Sequence, residues 1–143
     1  MTGPSFSGVP AVGTTFEPTR LTIIDAEAVA AYARASGDNN PIHLDEAAAK
    51  KAGLDGPIAH GMLMMGRLEA PVREWLPGWR ITRLQVRFMR PLAVGGGLSI
   101  AGRVAKADTR GTSAHLILRL MLRDGDGNPL AVGEADLTDL REA

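Results

Sequence analysis

Two hydrophobic periods divide the chain. Up to about residue 70 the apolar positions fall at helical spacing or run together, and beyond Pro77-Gly78 they alternate. Asp25, with Thr22 nearby, offers an N-cap before residues 26–35, a run of good helix formers. Val29, Tyr32 and Ala33 share one face of that helix, and Gly37 is a natural stop. Residues 38–44 then read as a loop, because Pro41 disfavours helix in the residue before it. Asp45 caps a second short helix over 46–52, which Gly53 ends, and Leu54-Asp55-Gly56-Pro57 is a turn. Residues 61–70 are apolar on every side in their first turns, which predicts a helix buried in the core. Its methionines, Met62, Met64 and Met65, are expected to face that core, with part of that face lining a flexible pocket as the alternative, and Pro71 to kink or end the helix.

In the second half, Leu84, Val86 and Phe88 alternate with Gln85, Arg87 and Met89. The same alternation runs through Leu98, Ile100, Gly102 and Val104, and again through Leu116, Leu118, Leu120 and Leu122. Asp124-Gly125-Asp126-Gly127-Asn128 is a strong turn signal, so residues 130–137 pair back as a hairpin. No helix signal separates these strands, and the sheet should be antiparallel. An α+β fold follows, with the sheet wrapped around one buried helix. Such an open sheet keeps free edges, and edge pairing with a second copy predicts a dimer.

A chain of 143 residues with a 45% apolar fraction is one domain that buries a core without staples. We place that domain at residues 14–143 and read residues 1–13, rich in Gly, Pro and Ser, as a loose arm without the pattern of a secretory signal. The absence of cysteine excludes disulfides, thiolate metal sites and a Cys nucleophile. A formal net charge of zero supplies no basic field for nucleic acid or an anionic membrane, and no apolar stretch reaches the roughly 18 residues that cross a bilayer. A neutral cytoplasmic domain is the expectation, so its chemistry must lie in particular residues.

The densest polar cluster is Ser36-Gly37-Asp38-Asn39-Asn40-Pro41-Ile42-His43. It sets a carboxylate and an imidazole, the complementary pair that proton transfer needs, in one short loop stiffened by Pro41. Asn40 carries donors and an acceptor with which to lock the loop. Asp, Asn and Pro are also ordinary turn residues, so composition alone leaves a solvated turn as the competing reading. Gly61 begins the buried helix, where its backbone N–H is an unpaired donor at the positive end of the helix dipole, and the missing side chain lets a ligand approach. Those are the ingredients of an oxyanion hole, although a tight turn would use the same Gly. His60 is a second possible base, but we read it as hydrogen-bonded in place; His115 stands alone in a strand without an assigned role. Arg87 and Arg90 are read as solvated strand residues, with contact to a phosphate or an acidic carrier protein as the alternative.

The spaced residues Tyr32-x-x-Ala35-Ser36-Gly37-Asp38-x-Asn40-Pro41-Ile42-His43, followed by Ala48-Ala49, resemble the hydratase motif of the MaoC-like family. Gly53-Leu54, the run from Pro57 through His60-Gly61-Met62-Leu63, and Val86 through Pro91-Leu92 fit the same pattern. The family holds (R)-specific enoyl-CoA hydratases and (3R)-hydroxyacyl-thioester dehydratases. The local pattern is most similar to the catalytic subunits of mycobacterial hydroxyacyl dehydratases.

The resemblance implies a single hot-dog fold with its central helix starting at Gly61. It implies that Asp38 and His43 activate one water for addition to the β-carbon of an enoyl thioester, or remove it in reverse. The Gly61 N–H would receive the enolate-like oxygen, with Asn40 and Ser36 as supporting residues. No metal and no other cofactor is implied; the acyl group arrives on coenzyme A or an acyl carrier protein. Many relatives carry a Ser in the central helix that helps position the catalytic His. No Ser or Thr lies between Gly61 and Pro71 here, leaving Gly66 or Glu69 in that region. The competing readings are a hot-dog subunit that needs or supports a partner subunit, and an acyl thioesterase. A homodimer is expected, with a heterodimer of two hot-dog subunits as the alternative.

Overall fold

The computed structural model describes residues 8–140. The alternating half of the chain forms four long strands, β3 (Trp79–Phe88), β4 (Gly97–Arg110), β5 (Ser113–Arg123) and β6 (Pro129–Asp139). Two short strands precede them, β1 (Thr15–Phe16) and β2 (Thr22–Ile23), and both pair with β4. All pairings are antiparallel in the order β1-β4-β5-β6-β3, with β2 also alongside β4. One row of side chains faces inward and is buried: Leu98, Ile100 and Val104, then Leu116, Leu118, Leu120 and Leu122, then Ala135 and Leu137. The opposite face carries a polar row in which Arg103 stands across from Arg119, and Arg119 across from Glu134. The period-two reading therefore holds through β4, β5 and β6. The β5–β6 turn is closed by the Asp124 carboxylate. The Asn128 N–H bonded to it holds its carboxyl below the usual carboxylate range.

The helices lie against the inward face. In α1 (Ala26–Ser36) Asp25 accepts the Ala28 N–H at 2.8 Å, and Gly37 ends the helix at φ +78°, a left-handed conformation that suits glycine. Asp45 caps α2 (Glu46–Lys51) through the Ala47 N–H. The central segment is two helices, α3 (Gly61–Gly66) and α4 (Glu69–Trp75), rather than one ended by Pro71. Pro71 sits in the first turn of α4, where its missing N–H would have no intrahelical acceptor. The joint falls instead at Arg67 and Leu68, whose N–H groups bond three residues back to Met64 and Met65. Leu63, Met64, Leu68, Val72 and Leu76 from this segment join the strand leucines in one core.

The methionines of α3 divide. Met64 is buried, Met65 is half-buried, and Met62 is 58% exposed in the single chain, contrary to the expectation of a helix covered on every side. Of the N-terminal arm, residues 1–7 lie outside the described residues; Pro10 is buried, and the Gly13 N–H bonds to the Val104 carbonyl at 2.8 Å. No helix among the described residues is long and apolar enough to cross a membrane.

One close approach seats α4. A Cβ on Gly102 would stand 2.7 Å from the Trp75 ring, which itself stacks on Phe16 at a centroid distance of 5.1 Å. Gly102→Ala is therefore expected to destabilise the fold by about 1–3 kcal/mol through overpacking, read as a lower urea midpoint with an unchanged m-value.

Candidate active site

Local hydrogen bonds set the course of the chain beyond α1. The Ser36 hydroxyl donates to the Tyr32 carbonyl at 2.7 Å and accepts the Asp38 N–H at 3.1 Å. The Asp38 Oδ1 accepts the Asn40 N–H, and the Asn40 Oδ1 accepts the Ile42 N–H, each at 3.2 Å. These side chains turn the backbone back on itself, as Asx-type turns do. They lead into a 3₁₀ turn at Pro41–His43, with Pro41 at its start and Asn40 as its cap. This turn was expected to be loop; its three residues carry His43 round to face Asp38.

A second segment holds the histidine from below. The Ile58 N–H bonds to the Ile42 carbonyl at 3.2 Å, and Ala59 N–H to Leu92 O at 2.8 Å, pinning residues 58–59 between the Asp38 loop and the β3–β4 connection. The Ile58 carbonyl then lies 2.7 Å from His43 Nδ1. A carbonyl only accepts, so Nδ1 bears the hydrogen and, in the neutral ring, Nε2 keeps its lone pair. That nitrogen stands 3.9 Å from Asp38 Oδ2. With Oδ1 held by Asn40, Oδ2 is the carboxylate oxygen left to face the imidazole. The gap is too long for a direct hydrogen bond, and it suits a water that donates to both acceptors. The His43 side chain is 10% exposed and the Asp38 side chain 52%, so the pair is anchored on one side and open on the other.

His60 completes the cluster. Its ring stacks on that of His43 at a centroid distance of 3.8 Å, and Tyr32 lies against it at 4.7 Å. Its Nε2–H donates to the Asp38 carbonyl at 3.1 Å, as the reading of a histidine hydrogen-bonded in place anticipated. One nitrogen or oxygen from each of Asp38, His43 and His60 lies within 4.8 Å of the others, which raises the question of a metal. The two imidazoles are inclined by only 26°. Lone pairs of rings stacked this way lie in two nearly parallel planes, which do not bring them to one point about 2.0–2.1 Å from both nitrogens. The arrangement suits proton transfer better than metal ligation.

Gly61 opens α3 beside this cluster. A Cβ there would stand 3.1 Å from the Phe88 ring, so a close approach is what the glycine serves. Its N–H, first in the helix, has no intrahelical acceptor. His43, Gly61, Met64, Phe88 and Arg90 line a common cleft of about 380 Å³. Arg87 points to the other side of the sheet, where it lines a separate groove with Arg103 and Arg119. His115 pairs with the Thr138 hydroxyl away from the cleft, and Glu69 pairs with Arg73 on the exposed side of α4. The sequence carried no signal for the Ile58 carbonyl or for the stacking of His60. Phe88 had appeared in it as a strand residue and as part of the family pattern, without a place in the site.

Residues 8–117 match the model of the MaoC like domain. This chain belongs to the MaoC-like family. It is 31% identical over 120 residues to the mitochondrial 3-hydroxyacyl-[acyl-carrier-protein] dehydratase of Arabidopsis thaliana, spanning 80% of this chain and 70% of that one. It is 34% identical over 113 residues to the (R)-specific enoyl-CoA hydratase of Aeromonas caviae, spanning 77% and 82% of the two chains. The solved structure of the A. caviae (R)-hydratase superposes with a TM-score of 0.78 over 90% of this chain and 96% of that one, at 26% identity across the superposition. The HadBC (3R)-hydroxyacyl-ACP dehydratase complex of Mycobacterium tuberculosis shares the fold, with a TM-score of 0.74 over 89% of this chain and 96% of that one at 18% identity. The hot-dog α+β fold is thus that of this MaoC-like chain.

The Asn40 side chain is predicted to order the MaoC-like loop. Asn40→Ala removes a cap of about 1 kcal/mol, so the Ile42 amide should exchange with deuterium faster by somewhat less than tenfold while amides in β5 keep their protection.

Proposed function

We propose that this chain interconverts trans-2-enoyl and (3R)-3-hydroxyacyl thioesters through Asp38 and His43. The observation that carries this reading is the facing of Asp38 Oδ2 and His43 Nε2 across 3.9 Å, with the far nitrogen of His43 committed to the Ile58 carbonyl. The names of the A. thaliana and A. caviae relatives point to the same chemistry. In the hydration direction the water oxygen bonds to the β-carbon as the C=C π bond breaks. One of the pair takes a proton from the water, and a proton passes from the pair to the α-carbon; dehydration reverses each step. Charge gathers meanwhile on the thioester oxygen, and the Gly61 N–H is the donor placed to receive it. Asn40 and Ser36 act on the loop, through the bonds that aim Asp38.

The substrate class is a thioester of coenzyme A or an acyl carrier protein, and the working compartment is the cytoplasm. A second hot-dog subunit belongs in this reading. Among the described residues β3 pairs with β6 alone, which leaves its other edge open there, and Phe88, Met89 and Met62 expose apolar surface near the cleft. A homodimer covers both features; the ChsH1-ChsH2 complex of Mycobacterium tuberculosis, which shares this fold, keeps a heterodimer as the alternative.

Asp38→Asn and His43→Ala are each expected to lower kcat/KM for an enoyl-CoA by about 10²- to 10⁴-fold with the fold intact, followed by the conjugated enoyl absorbance. A folded variant with near-normal turnover would remove that residue from the chemistry. The protein made alone is expected to show twice the monomer mass by light scattering; an inactive monomer that gains activity only with a second hot-dog chain would favour the heterodimer.

A further inference from the structure

We propose, resting on the hydration reading above, that His60 is the positioning residue of this site, holding Asp38 through its main chain and His43 through its ring. Among the described residues His60 is the polar or charged side chain that is fully buried, at 1% exposure. Burying an imidazole is unfavourable unless its polar atoms are paired. Here Nε2 is bonded, but Nδ1 is buried without a partner. An apolar residue would serve the core better, so the reason for a histidine lies in what the ring touches.

It touches both members of the pair. The Nε2–H bond reaches 22 residues back along the chain to the Asp38 carbonyl, fixing the backbone from which the carboxylate projects. The ring face meets His43 at 3.8 Å. The Ile58 bond anchors one nitrogen of the His43 ring but holds the tilt of the ring plane only loosely, since a hydrogen bond tolerates bending. The stack fixes that tilt by packing against the ring face. The two constraints together set where Nε2 points. No Ser or Thr occurs from Gly61 to Trp75, so no hydroxyl of α3 or α4 is available for this task.

Two variants separate the contacts. His60→Phe keeps an aromatic face for His43 and loses the donor to Asp38; His60→Gln keeps a donor and loses the face. Each is expected to lower kcat by about 10- to 100-fold with KM nearly unchanged, because a misplacement of about 1 Å acts on the transition state rather than on binding. Imidazole ¹⁵N–¹H correlation spectra should show His43 as the Nδ1–H tautomer throughout, since the Ile58 carbonyl sets it, with sharp ring signals in the wild type and in His60→Phe and signals broadened by exchange between ring orientations in His60→Gln. The amide signal of Asn39, whose peptide includes the Asp38 carbonyl, should shift in His60→Phe. Wild-type kcat in both folded variants would overturn the proposal, as would unchanged His43 and Asn39 signals. Failure of both variants to fold would also overturn it, by assigning His60 to the core alone. A wild type without activity on any enoyl thioester would refute the hydration reading instead, and the spectra would still decide the positioning.

Discussion

The hydrogen bond from His43 to the Ile58 carbonyl joins the two polar segments of the molecule and decides what each can do. On one side it selects the tautomer that leaves Nε2 basic and facing Asp38. On the other it ties the loop after α1 to the residues that lead into α3. A neutral hydrogen bond of this kind contributes only about 1 kcal/mol to stability, yet here it specifies a proton inventory. Its acceptor is held in turn by backbone bonds, Ile58 to Ile42 and Ala59 to Leu92, so the reference point for the imidazole is the main chain itself.

That reference point is stable because the sheet makes it so. Inward leucines of β4, β5 and β6 enclose α3 and α4, and Gly102 leaves the space into which Trp75 settles. The end of β3 then carries the Phe88 ring over Gly61, where both line the cleft beside His43. Asp38 and His43, the proposed acid–base pair, come from one short turn, while the Gly61 N–H, the proposed oxyanion donor, comes from the start of a helix packed in the core. Rigid placement of those parts against one another is the condition for transition-state stabilisation by fixed donors.

Much of this was legible in the residues. Period-two runs placed β4, β5 and β6, and Asp25, Gly37, Asp45 and Gly53 bounded the first two helices, because caps and left-handed glycines act locally. The Asp38–His43 cluster and Gly61 were visible as residue types, and their resemblance to a known motif gave them a common purpose. Pro71 misled, since a proline is tolerated in a first helical turn and the sequence does not say which turn it occupies. Met62 misled as well, because an apolar helix can be half-covered at the end of a sheet. The Ile58 carbonyl was beyond reach: every residue has a carbonyl, and only the tertiary fold says which one meets a ring. The same holds for the pairing of His60 with His43, two residues that are distant in sequence and stacked in space.

The central claim is that this geometry adds water to the β-carbon and leaves one configuration there. The most direct test incubates the wild-type protein with trans-2-enoyl-CoAs of increasing chain length and resolves the configuration of any 3-hydroxyacyl product. Formation of the (3R)-hydroxyacyl thioester with the thioester intact is the predicted result. The (3S) product, or release of free thiol without hydration, would contradict the account.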